Sequence, residues 1–175
     1  MKDFLTKYGA ALGFLLRFLG VYIVLTMAYT FYINQFTSTP DGITTLVANQ
    51  SKWLLDAFGY PATMVKDAAE PFYKVMVGNH YTARIVEGCN SVSVLILFVT
   101  FIIAFKGSLK HTLLYGLAGI AFLYVVNVLR IVILTIGVYE LPTYTHTLHG
   151  LVFPAIIYGT MLVLWVFWVR RFAKK

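Results

Sequence analysis

The sequence predicts an all-α integral membrane protein with four transmembrane helices, both termini cytoplasmic, an outer amphipathic helix and a short β-hairpin. Three observations predict it. Of 175 residues, 59% are hydrophobic and only 12% are charged, and the mean hydropathy is +0.78. A soluble domain of this size could not hide that much apolar surface. Four apolar stretches approach or exceed the roughly 20 residues needed to cross a bilayer. The net charge of +7 is concentrated at the ends of those stretches, which marks topology and lipid-headgroup contacts and argues against nucleic acid as a partner.

The first span covers about 11–33. A basic start precedes it, but no small-residue cleavage site follows, so it reads as a retained helix and not a signal peptide. Arg17 lies close enough to its inner end to snorkel to the headgroups. The second span covers about 90–105, the third about 111–139 and the fourth about 148–168, ending in Arg170-Arg171-Phe172-Ala173-Lys174-Lys175. The positive-inside rule puts Lys2, Lys7, Lys106, Lys110 and the basic tail on the cytoplasmic side. The segment of about 38–88 is then outside. There Lys52, Lys66, Lys74 and Arg84 nearly balance Asp41, Asp56, Asp67, Glu70 and Glu87.

The outer segment has structure of its own. Ile43, Leu46, Val47, Trp53, Leu54, Ala57 and Phe58 recur at helical spacing, and Gly59 with Pro61 ends the run. The pattern fits an amphipathic helix on the membrane surface. Residues 72–77 and 81–86 read as two strands around Gly78-Asn79-His80. The whole chain reads as a single membrane domain over 1–175, without repeats or low-complexity tracts.

Cys89, the only cysteine, follows the second strand and opens the second span. A thiol at a helix N-terminus favours the thiolate; with no second cysteine, the alternative is a small buried hydrophobe. Arg130 lies about 20 residues into the third span, near its outer boundary at 1.5 Å per residue. His146 and His149 precede or open the fourth span at the same depth. Thiol, guanidinium and imidazole together support acyl transfer: nucleophile, oxyanion stabiliser and general acid–base. Asn127 shares a helix face with Arg130 and could orient it or donate to an oxyanion. Each side chain also has a structural use. Cys89 could be packing, Arg130 a lipid-facing anchor, either histidine an interfacial polar group, and Asn127 helix–helix glue. His80 reads as a turn residue and His111 as a cytoplasmic interface residue. His146 and His149 lack an acidic or thiol partner nearby, so no metal or other cofactor is expected.

Three motifs in order resemble the exosortase/archaeosortase family of membrane transpeptidases. They are Gly88-Cys89-Asn90-Ser91 opening an apolar helix, Asn127-x-x-Arg130 within a helix, and His146-x-x-x-Gly150-x-x-Phe153 opening the last helix. The resemblance implies Cys89 as nucleophile, Arg130 as stabiliser and His146 as acid–base, with His149 as runner-up. It implies substrates bearing a C-terminal motif, a transmembrane helix and a basic tail, cleaved on the outer face of the inner or plasma membrane and passed to an envelope acceptor. Many members have Ser-Gly after the cysteine where this chain has Asn90-Ser91. Many are also longer, with about eight spans, and a small membrane partner protein is a further partner that this shortness suggests. Small residues Gly116, Ala118 and Gly119 offer a close approach for another helix. Two rival readings are a non-enzymatic assembly subunit of an envelope export system and a membrane protease that only hydrolyses.

Overall fold

In the computed structural model, which describes residues 2–105 and 107–172, helices dominate and a small sheet sits at one end. The side chains of residues 2–7, 148, 149 and 153 lie outside that description, as do Lys106, Lys174 and Lys175, which contribute to the topology argument. Helix α1 (Lys2–Ile33) is followed by α2 (Gly42–Ala57), strands β1 (Ala62–Lys66), β2 (Tyr73–Val77) and β3 (His80–Ile85), and a 3-10 turn (Glu87–Cys89). Then come α3 (Val92–Ala104), α4 (Leu109–Glu140), a 3-10 turn (Pro142–Tyr144), α5 (Thr145–Thr147), a π turn (Leu148–Val152) and α6 (Phe153–Arg171).

The structure differs from the expected architecture in two respects. The chain is not all-α, because β1, β2 and β3 form an antiparallel sheet in that order. The expected hairpin is its β2–β3 half. Gly78, at φ 58°, makes a two-residue turn closed by the Val77–His80 pair, a conformation that suits glycine. The unexpected strand is β1. Secondly, three helical segments are long and apolar enough to cross a membrane: Tyr8–Ile33, Leu109–Glu140 and Pro142–Arg171. The expected second span is a helix of only 13 residues, α3. At 1.5 Å per residue it rises about 20 Å, short of a hydrocarbon layer of about 30 Å.

Physical causes set these boundaries. Asp41 caps α2, its Oδ1 accepting from the amides of Ile43 and Thr44 at 2.9 and 3.0 Å, the preferred use of an Asp at that position. The expected apolar stripe of α2 divides. Val47 of that stripe is buried, while Leu46, Trp53 and Phe58 are exposed, and Leu55, outside the stripe, is buried. The buried face includes Thr44, Ala48 and Ser51 and packs toward α4 and the sheet, with Val128, Ile131 and Val132 of α4 in the same core. Strand β2 alternates, burying Tyr73, Val75 and Val77, as a half-buried strand must. Helix α3 starts late because Ser91 takes a left-handed φ of 64°. The π turn ends two residues before Pro154. A proline supplies no N–H for the carbonyl four residues back and crowds it, so the regular ladder is interrupted there.

A second core lies between α3, α4 and α6, around Phe98, Ile102, Leu123, Ile157, Met161 and Trp168. Gly119 is essential to it. A Cβ there would lie 2.2 Å from Cζ of the fully buried Phe98. Of the small residues expected to admit a helix, Gly119 is therefore already occupied by Phe98, Gly116 faces open space and Ala118 is exposed. Arg17 bonds two backbone carbonyls: its Nη1 donates to that of Ala104 at 3.1 Å and its Nε to that of Gly13 at 2.8 Å, so it satisfies one of the open carbonyls at the C-terminal end of α3. His111 bonds Ser108 Oγ through Nδ1 at 2.5 Å and stacks on Phe172. The Phe105–Leu109 connection and the end of α6 thus share one end of the bundle. The sheet, α2 and Cys89 occupy the other.

Candidate active site

Strand β3 leads through Val86 into the 3-10 turn that ends at Cys89. The amide of Cys89 donates to Val86 O at 2.8 Å, and that of Asn90 to Glu87 O at 3.1 Å. The thiol therefore lies just outside α3, not in its first turn. Asn90 is 1% exposed and joins three elements. Its Oδ1 accepts from the amide of Val92 at 2.9 Å, capping α3, while its Nδ2 donates to Tyr29 Oη at 2.9 Å and Thr44 Oγ1 at 3.3 Å. Tyr29 in turn donates to Glu87 Oε1 at 2.6 Å. Thr44 Oγ1 donates to Asp41 Oδ2. Helix α1 thus holds Glu87, the first residue of the turn that carries the sulfur, and α1 and α2 together hold Asn90, the residue after it.

Asn127 holds the turn from the third side. Its Nδ2 donates to the carbonyl of Cys89 at 2.8 Å. That contact differs from the expectation that Asn127 orients Arg130; the bonded partner is the nucleophile's own backbone. Asn127 Oδ1, Ser91 Oγ and Arg130 Nε are buried without a hydrogen-bond partner. Unspent polar capacity is uncommon in interiors and tends to collect where function requires it.

Cys89 and Arg130, both half-buried, line one cavity of about 270 Å³. They are 41 positions apart in the chain, and the packing of α4 on β3 brings them to a shared wall. The cavity also receives Arg84 from β3 and Thr145 from α5. Arg84 is a participant the sequence reading counted only as an outer charge; its position five residues before Cys89 on a strand was the available signal. Arg84 also lies 6.0 Å from the Phe72 ring centroid. Its cross-strand partner is Lys74, whose charge is engaged by Asp67 at 2.6 Å. That ion pair, with the amides of Ala69 and Glu70, holds the Asp67 carboxyl down to about 2.

His146 is not among the cavity's lining residues. It is exposed and faces an adjoining cavity of about 520 Å³ with Pro142, Thr143, Thr145 and Gly150. Thr145 belongs to both walls. The side chains of His149 and Phe153 lie outside the described residues.

A polytopic helical bundle with a thiol and a guanidinium sharing one cavity, at the end that carries a small polar subdomain, defines a helical membrane protein with a cysteine–arginine centre. The chain matches the family model described as transmembrane exosortase over residues 4–169, and it belongs to that family. No curated protein matches it, and no solved structure does. Within the family resemblance, Ser91 stands where many members have glycine. Its left-handed φ explains that preference, since a residue without Cβ adopts this conformation without strain.

Proposed function

We propose that this exosortase is a cysteine transpeptidase of the inner or plasma membrane with its site on the outer face. Its substrates are surface-destined proteins with a C-terminal motif, a transmembrane helix and a basic tail. The observation that carries this reading is the shared cavity of Cys89 and Arg130. In the proposed reaction the Cys89 thiolate attacks the scissile carbonyl and Arg130 stabilises the oxyanion. Collapse breaks the C–N bond, His146 protonates the leaving amine, and a thioester remains on Sγ. An acceptor nucleophile then attacks the thioester, giving its proton to His146 and releasing the Cys89 thiolate. His146 opens on the adjoining cavity, so this role requires α5 to close on the substrate, pivoting at the π turn. Family membership supports the reaction class, and the near-neutral charge of 38–88 supports the orientation.

The test is processing of a co-expressed substrate with that tripartite tail, read by gel shift and product mass. Wild type is compared with Cys89→Ala, Arg130→Ala, His146→Ala and His149→Ala at matched membrane levels. Loss in the first three with activity retained in His149→Ala is the expected result. Normal processing by Cys89→Ala would sink the thiol mechanism and favour an assembly subunit. A product heavier by an acceptor indicates transfer; one heavier by water indicates hydrolysis.

A further inference from the structure

Five consecutive residues of β3, Tyr81 to Ile85, line the Cys89–Arg130 cavity. Successive side chains of a strand point to opposite faces. A cavity walled by five in a row therefore runs along the strand's edge and not over one of its faces. Strand β3 is the edge of its sheet, paired only with β2. Among the described residues, no backbone hydrogen bond links 80–85 to any other element. The opposite wall is one face of α4, from Arg130 to Val138. Beyond Tyr81 and Thr82 the groove continues into a cavity of about 520 Å³ bounded by His80, Tyr139 and Pro142. The result is an open strand edge with a nucleophile at one end.

We infer that this edge is where the substrate binds: an extended peptide segment adds to β3 as a fourth strand, between β3 and α4, presenting its scissile carbonyl to Cys89. The unpaired backbone of an edge strand recognises another backbone. The charge of the groove narrows the occupant. Arg84 and Arg130 line it, no carboxylate does, and neither arginine has an ion-pair partner among the described residues. The segment is therefore neutral or acidic, not cationic. The ladder also identifies a residue. Val77 and His80 close the two-residue turn and Met76 faces Tyr81 in the next pair. Antiparallel pairs alternate between bonded and non-bonded, and the register shift of this ladder falls beyond that pair, between Met76 and Val75, so counted from the turn Tyr81 turns its N–H and C=O away from β2 and into the groove.

The inference rests on Cys89 being the nucleophile, and its test is separable from that reading. The purified full chain in detergent is treated with acetyl-Val-Asp-Val vinyl sulfone, with the three analogues methylated in turn at each amide nitrogen, and with a Lys-for-Asp analogue. Labelling of Cys89 is followed by intact mass and normalised to iodoacetamide. Loss of one backbone bond should slow labelling roughly fivefold to tenfold for at least one methylated peptide. Tyr81→Pro, which removes an N–H that no ladder bond uses, should slow the parent peptide similarly while iodoacetamide reactivity stays unchanged; Tyr81→Ala keeps the N–H and should slow it less. Equal rates for the parent and all methylated peptides, or no labelling by any of them, overturns edge docking. Faster labelling by the Lys peptide overturns the charge assignment. Failure of the nucleophile reading would appear elsewhere, as normal substrate processing by Cys89→Ala.

Discussion

The two ends of this molecule are assembled by different physics. At the Cys89 end, directional bonds between elements dominate: Tyr29 to Glu87, Asn90 to Tyr29, Asn127 to the Cys89 carbonyl, Tyr124 to Gln50 at 2.8 Å, and Tyr60 to Glu140 at 3.0 Å. At the opposite end, rings and close backbone approach dominate. Phe101 stacks on Trp165 with centroids 4.1 Å apart, Phe14 meets Phe105 at 4.6 Å, and Trp168 fills the space beside Gly107 and Tyr115. Trp165 and Trp168 leave their indole N–H groups unpartnered. Bonds with direction fix atoms in position, as a reaction demands. Non-directional packing fixes helices to one another and tolerates exchange of one apolar shape for another.

The sharpest test compares equal truncations in the two cores. Leu55 and Leu123 are both 0% exposed. In the α2–sheet core the alternative to burial is water, so Leu55→Ala should cost about 2–5 kcal/mol. In the bundle lipid is as apolar as leucine, so only packing is lost and Leu123→Ala should cost less. Thermal unfolding in detergent compares them, and equal losses would erase the distinction. Next in size is Gly119→Ala. Its Cβ collides with the Phe98 ring, and overpacking of this kind costs about 1–3 kcal/mol; adding Phe98→Leu should recover most of it.

Smaller in stability but larger in activity is Tyr29→Phe. Removing the hydroxyl takes away the bonds to Glu87 and Asn90, at about 0.5–1.5 kcal/mol. Substrate turnover should fall more than unfolding temperature, because the turn carrying Cys89 loses its tether to α1. A parallel loss of both would mean the bonds serve only folding. The smallest effect is expected from pH. The folded Asp67 carboxyl sits near 2, below the unfolded value of about 3.9. Its stabilising contribution is therefore complete above about pH 4 and lost as pH falls toward 2. Lys74 is raised by the same pair, so its contribution holds below its unfolded value of about 10.4 and disappears as pH rises beyond. Asp67→Asn should remove the acid-side dependence of hydrogen exchange in 67–74, with little change in global stability, since the Lys74 side chain of the pair stays open to solvent.

Much of the fold was legible because long apolar runs leave few alternatives. Helices α1 and α4 and the body of α6 follow from hydrophobicity and charge alone. Strand β1 was missed because Ala62-Thr63-Met64-Val65-Lys66 has no alternation and buries only its first residue; pairing with β2 makes it a strand. The length of α3 was misread because nothing in an apolar run announces one residue with positive φ, here Ser91. At the site, Cys89 and Arg130, paired by motif order in the sequence, line one cavity. Order along a chain does not encode direction, however. Asn127 bonds the Cys89 backbone, Arg17 ends on α3, Arg84 enters the cavity from the sheet, and His146 faces the space next door. Those outcomes depend on how elements cross, which only three-dimensional packing decides.

The 13 residues of α3 also tie this chain to the thickness of its membrane. A hydrocarbon layer of about 30 Å exceeds the rise of α3 by some 10 Å, and a bilayer relieves such mismatch by thinning locally. The dimple so formed would bring aqueous solvent and headgroups down to the level of the sulfur. In a thick, stiff membrane the same helix would carry Cys89 beneath the hydrocarbon edge. Alkylation of Cys89 should therefore be fast in short-chain phosphatidylcholine vesicles and slow in long-chain ones, so that lipid composition acts as a gate on the thiol without touching a single residue.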